Sequence, residues 1–203
     1  MRDDQSLALL VVDVQNDFCP GGALAVPNGD QVVPVLNRLA SHASALGFPV
    51  YASRDWHPAN SRHFAVNGGE WPVHCVPGTM GARLHADLDL PPGALLVTKD
   101  VGPDGDGYSA FEGTIAGRGS LAADLRARGV TELVIGGLAT DYCVLASALD
   151  ARREGFDVVV VSDAVRAVER TPGDSARAVA EMEAAGVRFL PSSAVFAADL
   201  FQD

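Results

Sequence analysis

Apolar, β-branched runs alternate with amphipathic segments along the whole chain, and this alternation restricts the fold more than any other feature. "LALLVVDV" (7–14) is a near-continuous apolar run, as expected for a strand covered on both faces. "GDQVVPVLNRLASHASALG" (29–47) has apolar residues at 32, 33, 36, 39, 43 and 46, a helical stripe that ends at Gly47. Further strands are expected at 49–53, 93–99, 132–137, 157–163 and 187–191, and further helices at 120–129, 140–155 and 172–186. Strands that alternate with helices pair in parallel through right-handed crossovers. The expected fold is therefore α/β: a three-layer, Rossmann-like sandwich around a mainly parallel sheet of about six strands. With no repeat, low-complexity tract or linker, residues 1–203 read as one domain.

One segment breaks the rhythm. Residues 54–92, between the second and third strands, are rich in Pro, Gly, His and Trp, and loops this long inside a domain are usually functional or disordered. The chain's two tryptophans, Trp56 and Trp71, both fall here and argue against disorder. The stretch "SRDWHPANSRHF" (53–64) sets Asp55, His57 and His63 close together, and "WPVHCVPG" adds His74. Asp55 and His57, two apart in an extended segment, project to the same side. One carboxylate with up to three imidazoles is a ligand set for one divalent first-row ion (Zn, or Fe or Mn) with coordination positions left open. Cys75 offers a softer ligand beside His74, while His42 and His85 read as structural.

Ligands of open parallel sheets bind beyond the carboxyl ends of the strands, where strand order reverses. Asp13 closes the first expected strand, Lys99 closes the third, and Cys143 opens the helix after the fourth through "GGLATDYC". Lys99 is also the only lysine; the other fourteen of the 15 basic residues are arginine. A helix N-terminus and an adjacent cation both favour a thiolate, so Cys143 is the candidate nucleophile and Lys99 its cation. Asp13 is placed to take the thiol proton and return it to a leaving group. The small residues of "GLAT" offer backbone N–H groups to a developing oxyanion.

Composition excludes some alternatives. A net charge of −11 without a basic cluster argues against nucleic acid, and no apolar run reaches the 18 residues needed to span a bilayer. The first strand runs into "VQNDFCPGG", not a G-x-G-x-x-G turn, so dinucleotide binding has no support. The N-terminus does not read as a secretory signal, and three scattered cysteines do not read as a disulfide framework, so a cytoplasmic location is expected. The apolar tail "AVFAADLF" (194–201) is expected either in the core or in a homo-oligomer interface.

The strings "DVQNDFCPGGALAVPNGD" (13–30), "SRDWHPANS" (53–61), "GGEWPVHCVPGTMGARLHADL" (68–88), "YSAF" (108–111) and "GLATDYCV" (137–144) together resemble the nicotinamidase branch of the isochorismatase-like cysteine hydrolases. The resemblance covers nearly the full chain. It implies a metal-containing, pyrazinamidase-like amidase that converts nicotinamide and water to nicotinate and ammonia in NAD salvage, through a thioester. Carried over by position, it implies Asp13, Lys99 and Cys143 as the triad, and Asp55, His57 and His74 as metal ligands with His63 as a fourth. It further implies the backbone N–H groups of Ala139 and Cys143 as the oxyanion hole, a cis peptide at Leu138–Ala139, and Phe18, Trp71 and Tyr108 as walls around the pyridine ring. The stretch "DVGPDGDG" (100–107) departs from the glycine often found after the lysine in this family. The rival readings are a cysteine amidohydrolase of the same superfamily acting on carbamoyl or ureido compounds, an isochorismatase proper, a hydrolase using a metal-activated water, and a non-catalytic metal-binding module.

Overall fold

The computed structural model describes residues 6–100 and 102–195. Strands β1 (Ser6–Val12), β2 (Val50–Asp55), β3 (Leu95–Lys99), β6 (Val130–Leu138), β7 (Asp157–Arg166) and β8 (Arg188–Leu190) correspond one for one to the six expected from sequence. They pair in parallel throughout. Two further strands, β4 (Thr114–Ile115) and β5 (Gly119–Ser120), extend the β3 edge in antiparallel fashion. The sheet is therefore eight-stranded, in the order β5-β4-β3-β2-β1-β6-β7-β8. The count of about six is corrected by these two-residue strands, which are too short to carry any alternation.

Helices α1 (Val33–Ala45), α2 (Leu121–Ala127), α3 (Leu145–Arg153) and α4 (Asp174–Ala184) cover the sheet. The side chains of β1 separate the two sides. Leu7, Leu9 and Val11 join Leu36, Leu39, Ala40 and Ala43 of α1 in one cluster. Ala8, Leu10 and Val12 join Leu121, Leu125, Ala148, Ala151, Ala178 and Met182 of α2, α3 and α4 in the other. Successive strand residues point to opposite faces, so a strand between two helical layers must be apolar at every position. That is the physical reason "LALLVV" shows no polar alternation.

The chain winds from β1 out to β3 in one direction, then returns to lay β6 on the other side of β1. The β1–β6 boundary is the switch point of the sheet, where the two following connections diverge and leave a crevice. At this boundary Gly137 has φ +129, and a Cβ there would lie 2.1 Å from the Val12 carbonyl oxygen. Only glycine allows β6 to pass β1 this closely, just ahead of the turn that carries Cys143.

Away from the crevice, the fully buried Tyr51 of β2 donates its hydroxyl proton to Asp124 Oδ2 of α2 at 2.7 Å. Arg128 and Arg118 also donate to that carboxylate, at 2.7 and 3.1 Å. Asp124→Ala leaves the Tyr51 hydroxyl buried without a partner, which costs roughly 1–3 kcal/mol. Tyr51→Phe leaves Asp124 still held by two arginines, so its loss in a urea titration is expected to be the smaller. The reverse order would show that the hydroxyl has another partner.

No helix among the described residues is long and apolar enough to cross a membrane. Within the tail stretch 194–201, Val195 is buried, and residues 196–201 lie outside the described residues.

Candidate active site

Asp13 leaves β1 in a left-handed conformation, φ +46, at the switch point. The hydroxyl of Ser53, on neighbouring β2, donates to Asp13 Oδ1 at 2.7 Å and accepts the Asp13 N–H at 3.3 Å. Lys99, at the end of β3, donates to Asp13 Oδ2 at 2.5 Å and to the Tyr108 carbonyl at 3.0 Å. Asp55 Oδ1 lies 2.7 Å from the same ammonium. A fully buried cation is thus clasped between two buried carboxylates. Cys143 follows β6 in a turn of π-helix, Thr140–Val144, that runs on into α3. The Cys143 thiol sulfur and one carboxylate oxygen each of Asp13 and Asp55 fall within 4.8 Å of one another. The Leu138–Ala139 peptide is cis, as the resemblance implied.

The charges of the hub act on one another. Burial opposes the charge on Lys99, but Asp13 and then Asp55 outweigh it, so its pKa stands well above that of an ordinary lysine. Burial also dominates at Asp13 and pushes its carboxyl up against the pull of Lys99. At Asp55 burial acts in the same direction, but Lys99 and then His57 overcome it and hold the carboxyl below its usual range. Cys143 is pushed well up by burial; Lys99 pulls it down, while Asp13 and Asp55 add to the rise. Cys143 thus has a following helix and a lysine nearby, with Asp13 beside it to take the thiol proton. The positive charge of Lys99 is already shared by two carboxylates, which weakens its pull on the thiol.

Beside this hub lie the imidazoles of the 56–94 connection. One ring nitrogen each of His57, His63 and His74, all buried, fall within 4.8 Å of one another. Asp55 Oδ2 is 3.5 Å from His57 Nε2 and 3.8 Å from His74 Nε2. Neither ring nitrogen of His57 has a hydrogen-bond partner, although the residue is fully buried. Such orphaned nitrogens facing two more imidazoles and a carboxylate fit a divalent cation. His74 Nδ1 is 2.8 Å from the Pro72 carbonyl; this contact assigns the ring proton to Nδ1 and leaves Nε2 for the cluster. Burial lowers His74, and pulls His63 down to about 4, so both rings are neutral at pH 7, as ligands must be. Cys75, weighed from sequence as a softer ligand, is buried beside the cluster with its thiol pushed far up, first by burial. His42 lies on α1, and His85 Nδ1 accepts the Asp87 N–H at 3.2 Å, so both stand apart from the site.

A pocket of about 350 Å³ opens between hub and imidazoles. Phe18, Trp71 and Tyr108 line it, together with Asp55, His63, His74, Ala139 and Cys143. Trp71 Nε1 donates to the Tyr108 hydroxyl at 2.9 Å, which fixes two of the three aromatic walls relative to each other. His57, Asp13 and Lys99 sit behind the lining, each fully buried.

With this geometry in view, residues 7–193 match the family model described as the isochorismatase domain. The chain belongs to the isochorismatase family. Among curated members of the family, the nicotinamidase of Escherichia coli (strain K12) is 45% identical over 195 residues, covering 88% of this chain and 92% of that protein. Among solved structures, the pyrazinamidase of Pyrococcus horikoshii in complex with zinc superposes with a TM-score of 0.84 at 44% identity, covering 92% of this chain and 99% of that one. PnC1 from L. infantum in complex with nicotinate gives 0.80 at 38%, covering 94% of each.

Two residues essential to this isochorismatase-family site escaped the sequence reading. Gln15, fully buried, accepts the Asp55 N–H at 2.7 Å and donates to the Asp55 carbonyl at 3.0 Å and the Ala82 carbonyl at 2.9 Å. It therefore replaces a strand partner for Asp55 and ties the long connection to the sheet. Ser53 does the same for the Asp13 carboxylate. A polar residue just beyond β1 and a serine inside an apolar strand were the only signals. The departing stretch 100–107 contributes Asp106, whose carboxylate approaches His63 Nδ1 at 3.5 Å, while the Pro103 carbonyl accepts the Arg62 N–H at 2.8 Å.

Proposed function

We propose that this enzyme hydrolyses nicotinamide to nicotinate and ammonia, as a step of NAD salvage, through a thioester on Cys143. The observation that carries the reading is the shared carboxylate Asp55: one oxygen pairs with Lys99 of the thiol hub, and the other faces the imidazole cluster of the same pocket. The nicotinamidase name of the E. coli relative and the nicotinate bound to the L. infantum protein support the same substrate class.

Asp13 is the general base. Its carboxylate lies within 4.8 Å of the thiol sulfur, and burial raises its pKa, which makes it a better proton acceptor. As the proton moves, Lys99 keeps the new thiolate next to a cation instead of bare carboxylates. The thiolate attacks the carboxamide carbon, and the N–H groups of Ala139 and Cys143 receive the oxyanion. Asp13 returns its proton to the departing ammonia, and water then releases the acid. Phe18, Trp71 and Tyr108 exclude bulk water and confine the ring to a plane.

Asp55, His57, His63 and His74 would hold the divalent ion (zinc, iron or manganese), which supplies a Lewis acid for the ring nitrogen. Its contribution is orientation, and a misplacement of about 1 Å at a reacting centre costs on the order of 100-fold. Removing the ion with a chelator is accordingly expected to lower ammonia release from nicotinamide by about 100-fold, with recovery when zinc, iron or manganese is restored. A cysteine amidohydrolase for ureido compounds has no use for the imidazole cluster. If the purified protein released ammonia from ureido substrates and none from nicotinamide, that rival would replace the present assignment.

A further inference from the structure

We infer that Val168, braced by Asp141, sets how well the pocket tolerates substituents on the ring of the amide substrate. The inference rests on the nicotinamide reading and extends it to specificity.

Asp141 stands two residues before Cys143, in the same turn. Its carboxylate does not face the reacting groups. Oδ1 accepts the Val168 N–H at 2.9 Å and Oδ2 accepts the Glu169 N–H at 2.8 Å. These two amides belong to the connection between β7 and α4, 27 and 28 positions further along the chain. Glu169 is held at φ +53, and its own carboxylate accepts the Gly173 and Ser175 N–H groups at 2.6 and 2.9 Å. The connection is therefore pinned to the nucleophile's turn at one end and to the start of α4 at the other.

Between these ties the Val168 side chain lines the pocket, packed against the core cluster that includes Phe18, Val26 and Ala139. One carboxylate thus sets the distance between the nucleophile and an apolar wall. A ring substituent directed at this wall meets the Val168 side chain. The aromatic walls are cross-linked by the Trp71–Tyr108 hydrogen bond and the Trp71–Tyr142 edge contact at 4.9 Å. Val168 presents only a small side chain, so trimming it creates space without disturbing those links. An apolar pocket discriminates a single methyl or methylene by roughly 10–200-fold.

The test compares kcat/KM for nicotinamide and its 2-, 4-, 5- and 6-methyl derivatives in the metal-loaded wild type, Val168→Ala, Val168→Ile and Asp141→Asn. Val168→Ala is expected to raise the ratio of at least one methylated amide to nicotinamide by about 10-fold or more. Val168→Ile is expected to move that ratio the opposite way and to raise KM for nicotinamide more than it lowers kcat. Asp141→Asn exchanges one acceptor for a donor facing an N–H, so it is expected to shift the ratio in the direction of Val168→Ala. If nicotinamide is turned over but Val168→Ala leaves all four ratios unchanged, the inference is overturned. If only Asp141→Asn lowers every amide by one common factor, the bracing role is overturned, because a purely structural contact would act that way. A wild type inert on nicotinamide sinks the underlying functional reading instead, and is told apart by that control alone.

Discussion

Cys143→Ala is expected to take ammonia release from nicotinamide down by at least about 10⁴-fold, since loss of a nucleophile that works as a unit with its base removes nearly all of the chemistry. The residue is buried in the pocket wall and alanine is smaller, so the fold and the imidazole cluster are expected to persist. Metal content by elemental analysis and nicotinate binding by calorimetry check this in the same preparation. The result separates two mechanisms that share every other feature of the site. Were the attacking group a water activated by the ion, most of the activity would survive in this variant. Were the variant inert but still able to bind metal and nicotinate, the thiol would be the remaining source of the attack.

Lys99→Met is expected to have the largest effect on stability. The substitution removes the only cation between Asp13 and Asp55, both buried, and leaves two carboxylates facing each other. Breaking a buried pair in this way typically costs about 3–5 kcal/mol. The pH dependence has a definite sign. A carboxyl whose native pKa lies above its unfolded value binds its proton more tightly when folded, so it is favoured at low pH and penalised at high pH. Asp13 is already raised, and losing Lys99 raises it further. The deficit measured by urea titration should be greatest near neutrality and shrink as the pH falls and Asp13 protonates. Adding Asp13→Asn to Lys99→Met should restore much of the stability but none of the activity. A single variant as stable as the wild type across this range would show that the hub carries no net buried charge.

Most of the scaffold could be read from the chain because its strands lie between two helical layers. Burial on both faces writes a continuous apolar run, and runs such as 7–12 and 158–161 are hard to mistake. The residues of the candidate site were legible for another reason: strand ends and the one long connection are where an open sheet exposes chemistry. What stayed hidden depends on pairings between distant positions. Ser53 and Gln15 meet partners 40 residues away, and Asp141 meets partners 27 and 28 away; none of these polar side chains follows a period. The sharing of Lys99 was hidden as well. A lysine near a thiol suggests an anion, but here two acids claim the lysine, and only their three-dimensional arrangement reveals it. β4 and β5 have two residues each, too few for any pattern to register.

Asp55 has consequences for anyone who wishes to retune this protein for a different ion. Its two oxygens serve separate neighbours, and Gln15 holds its backbone on both sides. Exchanging it for a softer donor would leave the lysine with Asp13 as its one remaining carboxylate and unsettle the strand end beneath it. His63 has no such double employment: it sits out on the long connection, and its second nitrogen looks toward Asp106, whose side chain is 74% exposed. If the proposed ion is held as described, redesign of its preference belongs at position 63, where a side chain can be swapped without rewiring the acid–base pair.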